Sequence, residues 1–165
     1  MNQRQENLFQ QLQHYRSELL QILDQLTEEK ANIIPTGFHN NIRWNMGHLY
    51  LDQYLWIEAL TKDKHKELDN FTNWFGFGTS PDHFDEKTPS FDALKMLLAQ
   101  QPEQLKEQYG DRLMEEFPPI EMGMQTIEQV LVRTIFHEGM HVQAILTIHR
   151  ILNESLSEAF QSDRE

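Results

Sequence analysis

The sequence predicts an all-α protein: a four-helix bundle with a long crossover connection between its second and third helices. Three observations carry this. Apolar residues recur at spacings of three or four through four separate segments. No segment shows sustained period-two alternation between hairpin turns. One internal stretch, about residues 64–89, is irregular yet too aromatic for a solvated linker. A chain of 165 residues fits one domain, read here as 1–165 with a short polar C-terminal tail from about 153.

The elements follow in order. Residues 3–29 form the first predicted helix, with Leu8, Leu12, Tyr15, Leu19, Leu23 and Leu26 on its apolar stripe and Gln, Arg and Glu residues between them. Pro35, Thr36 and Gly37 break the pattern. Asn40 or Asn41 caps a second helix running to about Asp63. Within 64–89, Phe71, Trp74, Phe75, Phe77 and Phe84 lie among Gly76, Gly78, Pro81 and Pro89, which predicts an ordered lid or crossover packed over the bundle. Ser90, Phe91, Leu94, Leu97 and Leu98 open the third helix. Pro102 is expected to kink or split it, Leu105 and Tyr109 continue the stripe, and Gly110 stops it. Pro118 and Pro119 mark a loop, and Thr126 with Gln129 is a capping box for a fourth helix over about 126–152. Beyond Asn153 only Leu156, Ala159 and Phe160 are apolar, which suits a short helix or a frayed end. The second connection is long enough for the helices it joins to run parallel.

Composition narrows the function. With 14 basic and 26 acidic residues the formal net charge is −12, a surface that repels phosphate backbones and anionic lipid, so nucleic-acid and membrane binding are disfavoured. The absence of Cys excludes disulfides, thiolate metal sites, a catalytic Cys and iron–sulfur centres, and fits a cytoplasmic protein. The N-terminus leads into no signal-type apolar run, and no stretch reaches the ~18 apolar residues of a spanning helix. The eight His residues are the compositional oddity.

His137 and His141 lie four apart in the fourth helix, in register with the core stripe of Ile127, Val130, Leu131, Thr134, Ala144, Ile145, Ile148 and Leu152. Two inward imidazoles are either a hydrogen-bonded core pair or ligands of one divalent metal. The second helix supplies a third: His48 falls on the predicted inward stripe of Trp44, Leu51, Leu55 and Ala59. Three core-facing His from two helices favour the metal, with positions left open for water or substrate. Asp52, four residues after His48, is a ligand, an orienting carboxylate or a plain solvent-edge acid. Tyr50, Asp52 and Gln143 are the candidate supporting or catalytic groups. His14, His39, His65, His83 and His149 read as ordinary surface histidines. Residues 137–141 also spell His-Glu-x-x-His, in which Glu138 would be a zinc hydrolase's general base. That reading is disfavoured, because Ala144 and Thr147 stand where the extended motif needs Gly and His, and no strand-rich region is present. Met46, Leu49, Tyr50, Trp56, Ile57 and Leu60 make the second helix apolar off its inward stripe as well, so a cover is required. Either the crossover or a second subunit can supply it; a homodimer through this helix is the reading preferred.

Over about residues 5–152 the chain resembles the DinB/YfiT-like superfamily. The likeness rests on helical layout, on Asn45-Met46-Gly47-His48-Leu49 early in the second helix, on Gly78-Thr79-Ser80-Pro81 in the crossover, and on the His137/His141 pair followed by Gln143. The resemblance implies a four-helix bundle holding one nickel or zinc ion on His48, His137 and His141, and a dimer. It also implies transfer of a low-molecular-weight thiol such as bacillithiol or mycothiol to a small-molecule electrophile. Two other functions stay open: a metal-dependent hydrolase using water, and a non-catalytic metal-binding stress protein.

Overall fold

Local capping decides where each helix begins. In the computed structural model, which describes residues 1–65 and 68–162 and side chains as far as Glu154, Asn2 and Gln5 form a reciprocal capping box that opens α1, Gln3–Leu23. The helix ends six residues short of the predicted boundary. Thr27 accepts from the backbone N–H of Lys30 and starts a separate short helix, α2, Glu28–Ala31, so a hydroxyl cap competes successfully with continuation of α1. Asn41 caps α3, Ile42–Thr61, by accepting from the Trp44 N–H at 2.7 Å. The aromatic crossover forms α4, Asp69–Phe75, and a 3₁₀ turn, Pro81–His83. Ser90 caps α5, Phe91–Tyr109. Thr126 and Gln129 exchange the predicted capping-box bonds at the start of α6, Ile127–Ser162, which runs on through the segment read as a tail. The described residues are helix, turn and loop without strand, and none of their helices is long and apolar enough to cross a membrane.

The four long helices pack in the cyclic order α1, α5, α3, α6. Side-chain pairs give their directions. Arg4 meets Glu128 and Arg16 meets Glu138, so α1 and α6 run the same way. Glu6 pairs with Lys106 and Asp24 with Lys95, so α5 opposes α1. Tyr50 faces Gln101 and Tyr54 faces Gln104, so α3 and α5 are parallel and the chain between them travels the length of the bundle. Gln53 meets Thr134 and Asn45 meets His141, so α3 and α6 are antiparallel.

Two features correct the sequence reading. First, α3 is buried around most of its circumference, and its cover lies within this chain. Tyr50 stacks obliquely on Phe71 at 5.3 Å, and the fully buried Phe75 sits on Gly47. On this part of the helix the crossover, one of the two covers considered above, supplies the cover through α4. The inward stripe also turns: Gln53, Ile57 and Leu60 are buried, Leu55 is half-buried and Ala59 is exposed.

Second, the core contains an ion pair. Arg16, grouped above with the polar residues of the first helix, is 0% exposed and Glu138 is 2% exposed. Arg16 donates from Nε and Nη2 to the two oxygens of Glu138, at 2.7 and 3.0 Å. Its Nη1 donates to the Leu98 carbonyl at 2.6 Å and to Gln101 Oε1 at 3.1 Å. The Leu98 carbonyl is available because the residue four positions on is Pro102, which has no N–H to donate. Pro102 therefore leaves α5 unbroken and supplies an acceptor for Arg16. Gln101 in turn donates to the Tyr50 carbonyl at 2.8 Å, so one network ties all four long helices.

Candidate metal centre

The α3–α6 seam brings His48, His137 and His141 together, with one ring nitrogen of each lying within 4.8 Å of the others. The surrounding hydrogen bonds fix which nitrogens carry protons. His48 Nδ1 lies 2.7 Å from the Phe75 carbonyl, which only accepts, so Nδ1 is the donor. Asn45 Nδ2 donates to the Asn41 carbonyl at 2.7 Å, which turns its Oδ1 towards His141 Nδ1 at 2.7 Å, so that nitrogen donates as well. His137 Nδ1 donates to Asp52 Oδ2 at 2.9 Å.

All three imidazoles thus turn Nε2 towards a common centre. His137 Nε2 and His141 Nε2 are 3.2 Å apart, a separation that one bridging proton or one shared metal ion accommodates. Two ligands on one tetrahedral ion at metal–nitrogen distances of ~2.1 Å are themselves separated by ~3.4 Å. The residues present therefore fit a divalent metal, and their electrostatics agree. Burial lowers the pKa of His48 against the opposing pull of the Phe75 carbonyl and Asp52. Burial, reinforced by His48 and His137, pushes His141 down to about 3. Both are neutral at pH 7, the form that ligates.

The supports come from every neighbouring element. Trp44 lies flat on His48, with centroids 4.7 Å and planes 10° apart, and its indole N–H donates to Thr79 Oγ1 at 2.9 Å. Thr79 Oγ1 also lies 2.8 Å from the Gly76 carbonyl and 3.0 Å from that of Trp74, which holds the turn after α4 against α3. Asp52 accepts from Arg133 Nη1 at 2.6 Å through the same oxygen that holds His137, and from Trp56 Nε1 at 3.1 Å through the other. Burial alone would raise the Asp52 pKa, but the hydrogen bond and charge of His137 and the charge of Arg133 outweigh it and keep the carboxylate ionised.

A profile of the DinB superfamily matches residues 11–145. The chain belongs to the DinB superfamily. A search of curated proteins finds no match. Within this DinB protein the remaining candidates separate by position. Asp52 accepts from His137 Nδ1, the contact that the orienting role among the three considered would use. Tyr50 lies in the α3–α5 seam beside Tyr54 and Phe71, two residues and roughly 200° round the helix from His48. Gln143 is exposed and donates to Thr147. Glu138 has both oxygens on Arg16, so it serves the core rather than acting as the base of a His-Glu-x-x-His hydrolase. His14, His39 and His83 are exposed; His65 is half-buried and bonds to the Tyr109 hydroxyl at 2.7 Å. The sequence reading assigned no role to Asn45, to the Phe75 carbonyl or to Arg133. Two of these had a signal: Asn45 is three residues before His48 and Arg133 four before His137, so each lies on a helical face that carries a ligand.

Gly47 has a specific task. A Cβ there would overlap the Phe75 ring, which is fully buried and has no room to retreat. Gly47→Ala is expected to cost about 1–3 kcal/mol by overpacking. It is also expected to weaken metal binding, because displaced Phe75 takes its carbonyl away from His48. Thermal unfolding and metal titration of the variant check both effects.

Proposed function

We propose that this DinB protein is a metal-dependent enzyme that transfers a low-molecular-weight thiol, of the bacillithiol type, to a small electrophile. His48, His137 and His141 are its ligands, and nickel or zinc suits three neutral imidazoles. The observation that carries the reading is the convergence of three imidazoles from two helices, each with Nδ1 held by its own hydrogen bond and Nε2 left for the centre. A divalent ion held there would lower the pKa of a thiol brought to it, and the thiolate would form its new bond to carbon as the electrophile's leaving group departs with the electron pair. The chain contains no Cys, so the nucleophilic sulfur comes with the cosubstrate. His48 and His141 stay neutral rather than competing for the thiol's proton, and Asp52 holds the His137 ring in place.

Thiol transfer is favoured over hydrolysis by the two nearby carboxylates. Glu138 has both oxygens on Arg16, and Asp52 accepts from His137, Arg133 and Trp56. A free thiol starts at a pKa of about 8.5 and water at about 15.7, so a thiol gives its proton up to solvent at neutral pH with less help from a metal and a protein base. The test is a panel of low-molecular-weight thiols with alkylating electrophiles, run on nickel- and zinc-loaded protein. Turnover that disappears with chelator and returns with metal is expected. No turnover with any thiol would overturn the transferase reading. Metal-dependent cleavage of esters or amides would replace it with hydrolysis, and a chelator-induced fall in melting temperature without any turnover would leave a non-catalytic metal protein.

A further inference from the structure

We propose that Arg133 anchors a carboxylate of the molecule that reaches the His48/His137/His141 centre; this rests on the metal-centre reading and names its substrate class. Arg133 Nη1 donates to Asp52 Oδ2 at 2.6 Å, and the same oxygen holds His137 Nδ1 at 2.9 Å. The guanidinium therefore stands one carboxylate away from a ligand imidazole. It is held there from a second side, since its central carbon lies 4.2 Å from the centroid of the Trp56 ring and the Trp56 N–H donates to Asp52 Oδ1. A guanidinium fixed in one orientation has already given up its rotamer freedom, so little more is lost when it binds a ligand.

Its remaining donors point to the class of ligand. Among the described residues, Nη1 is the only Arg133 nitrogen with a hydrogen-bond partner. The Nε–Nη2 edge is a complete two-donor fork, the geometry that matches the two oxygens of a carboxylate. The side chain is 21% exposed, so the group is reachable from solvent. Charge agrees with geometry. With a divalent ion on three neutral imidazoles, that ion and Arg133 outweigh the single charge of Asp52. The centre is then a positive spot on a chain of formal net charge −12, and a small anion is directed to it. A substrate carrying its reacting atom and a carboxylate a few bonds apart would engage both.

The experiment titrates zinc-loaded protein with succinate and with succinamide by calorimetry, comparing wild type with Arg133→Gln, Arg133→Lys and Asp52→Asn. Zinc affinity is measured separately for each protein. Wild type is expected to bind the diacid at least tenfold more tightly than the diamide. Arg133→Gln should lose that preference, Arg133→Lys should keep part of it, and Asp52→Asn should keep it while binding zinc more weakly. If wild-type protein takes up no zinc, the metal-centre reading itself falls. The Arg133 proposal alone is overturned if zinc binds and wild type shows no preference, if Arg133→Gln keeps the preference, or if Asp52→Asn loses it equally.

Discussion

Arg16→Ala is expected to destabilise this DinB protein by about 3–5 kcal/mol, the cost of leaving one member of a buried ion pair without its partner. The substitution removes the Arg16 guanidinium from the Glu138 carboxylate, which is 2% exposed and accepts from Arg16 through both oxygens. It also strands the Leu98 carbonyl that Pro102 leaves without a helical donor, and it removes a donor from Gln101. Glu138→Ala should cost a similar amount by leaving the guanidinium unpaired. The double variant Arg16→Met, Glu138→Leu should recover most of the loss, because apolar residues of similar volume often replace a buried pair at little cost. Denaturant unfolding of the three variants measures the cycle. A single variant within about 1 kcal/mol of wild type would show that water reaches the pair and that the network does not carry the core.

This pair also shows where sequence reasoning stops. The register was visible: Arg16 follows Leu12 by four and precedes Leu19 by three, and Glu138 stands in the same relation to Thr134 and His141. Each therefore occupies a core position by spacing. Taken singly, a charge at such a position reads as a residue that has slipped to the helix edge, and Tyr15 beside Arg16 offered an apolar alternative that the structure leaves exposed. Only the two together, in helices that turn out to be adjacent, explain each other, and adjacency is a tertiary fact. Pro102 belongs to the same case. Its sequence signal is a helix breaker, whereas in the fold its missing N–H is what Arg16 requires. The three imidazoles were legible for the opposite reason. His137 and His141 are neighbours within one helix, so their common face follows from helical geometry alone, and His48 needs only that α3 turn its apolar stripe inward. Their oxygen acceptors were less visible. The Phe75 carbonyl belongs to the backbone of the crossover and has no sequence signature. Gly47 gives an indirect sign of it, as the position where α3 must leave space for the Phe75 ring.

His48→Ala and His141→Ala are each expected to abolish stoichiometric uptake of nickel or zinc, and the orientation of the rings predicts a graded series beneath that loss. Asp52→Asn leaves an amide oxygen able to accept from His137 Nδ1 but removes the charge that favours that tautomer; Asn45→Leu removes the His141 acceptor altogether. Without Asn45 Oδ1, His141 gains nothing from carrying its proton on Nδ1, and the tautomer with Nε2–H turns a donor towards the centre. It can then donate across the 3.2 Å gap to His137 Nε2 and occupy both ligand atoms with one proton. The loss should be roughly 10–100-fold in metal affinity for either supporting residue, with ligand removal costing more than either. Calorimetric metal titration gives the order, and nitrogen-edge NMR of the imidazoles gives the tautomer. If Asn45→Leu bound metal as tightly as wild type, with His141 still protonated on Nδ1, the ring would be held by packing against Trp44 and His48, and the hydrogen bonds around the centre would be a consequence of its geometry instead of its cause.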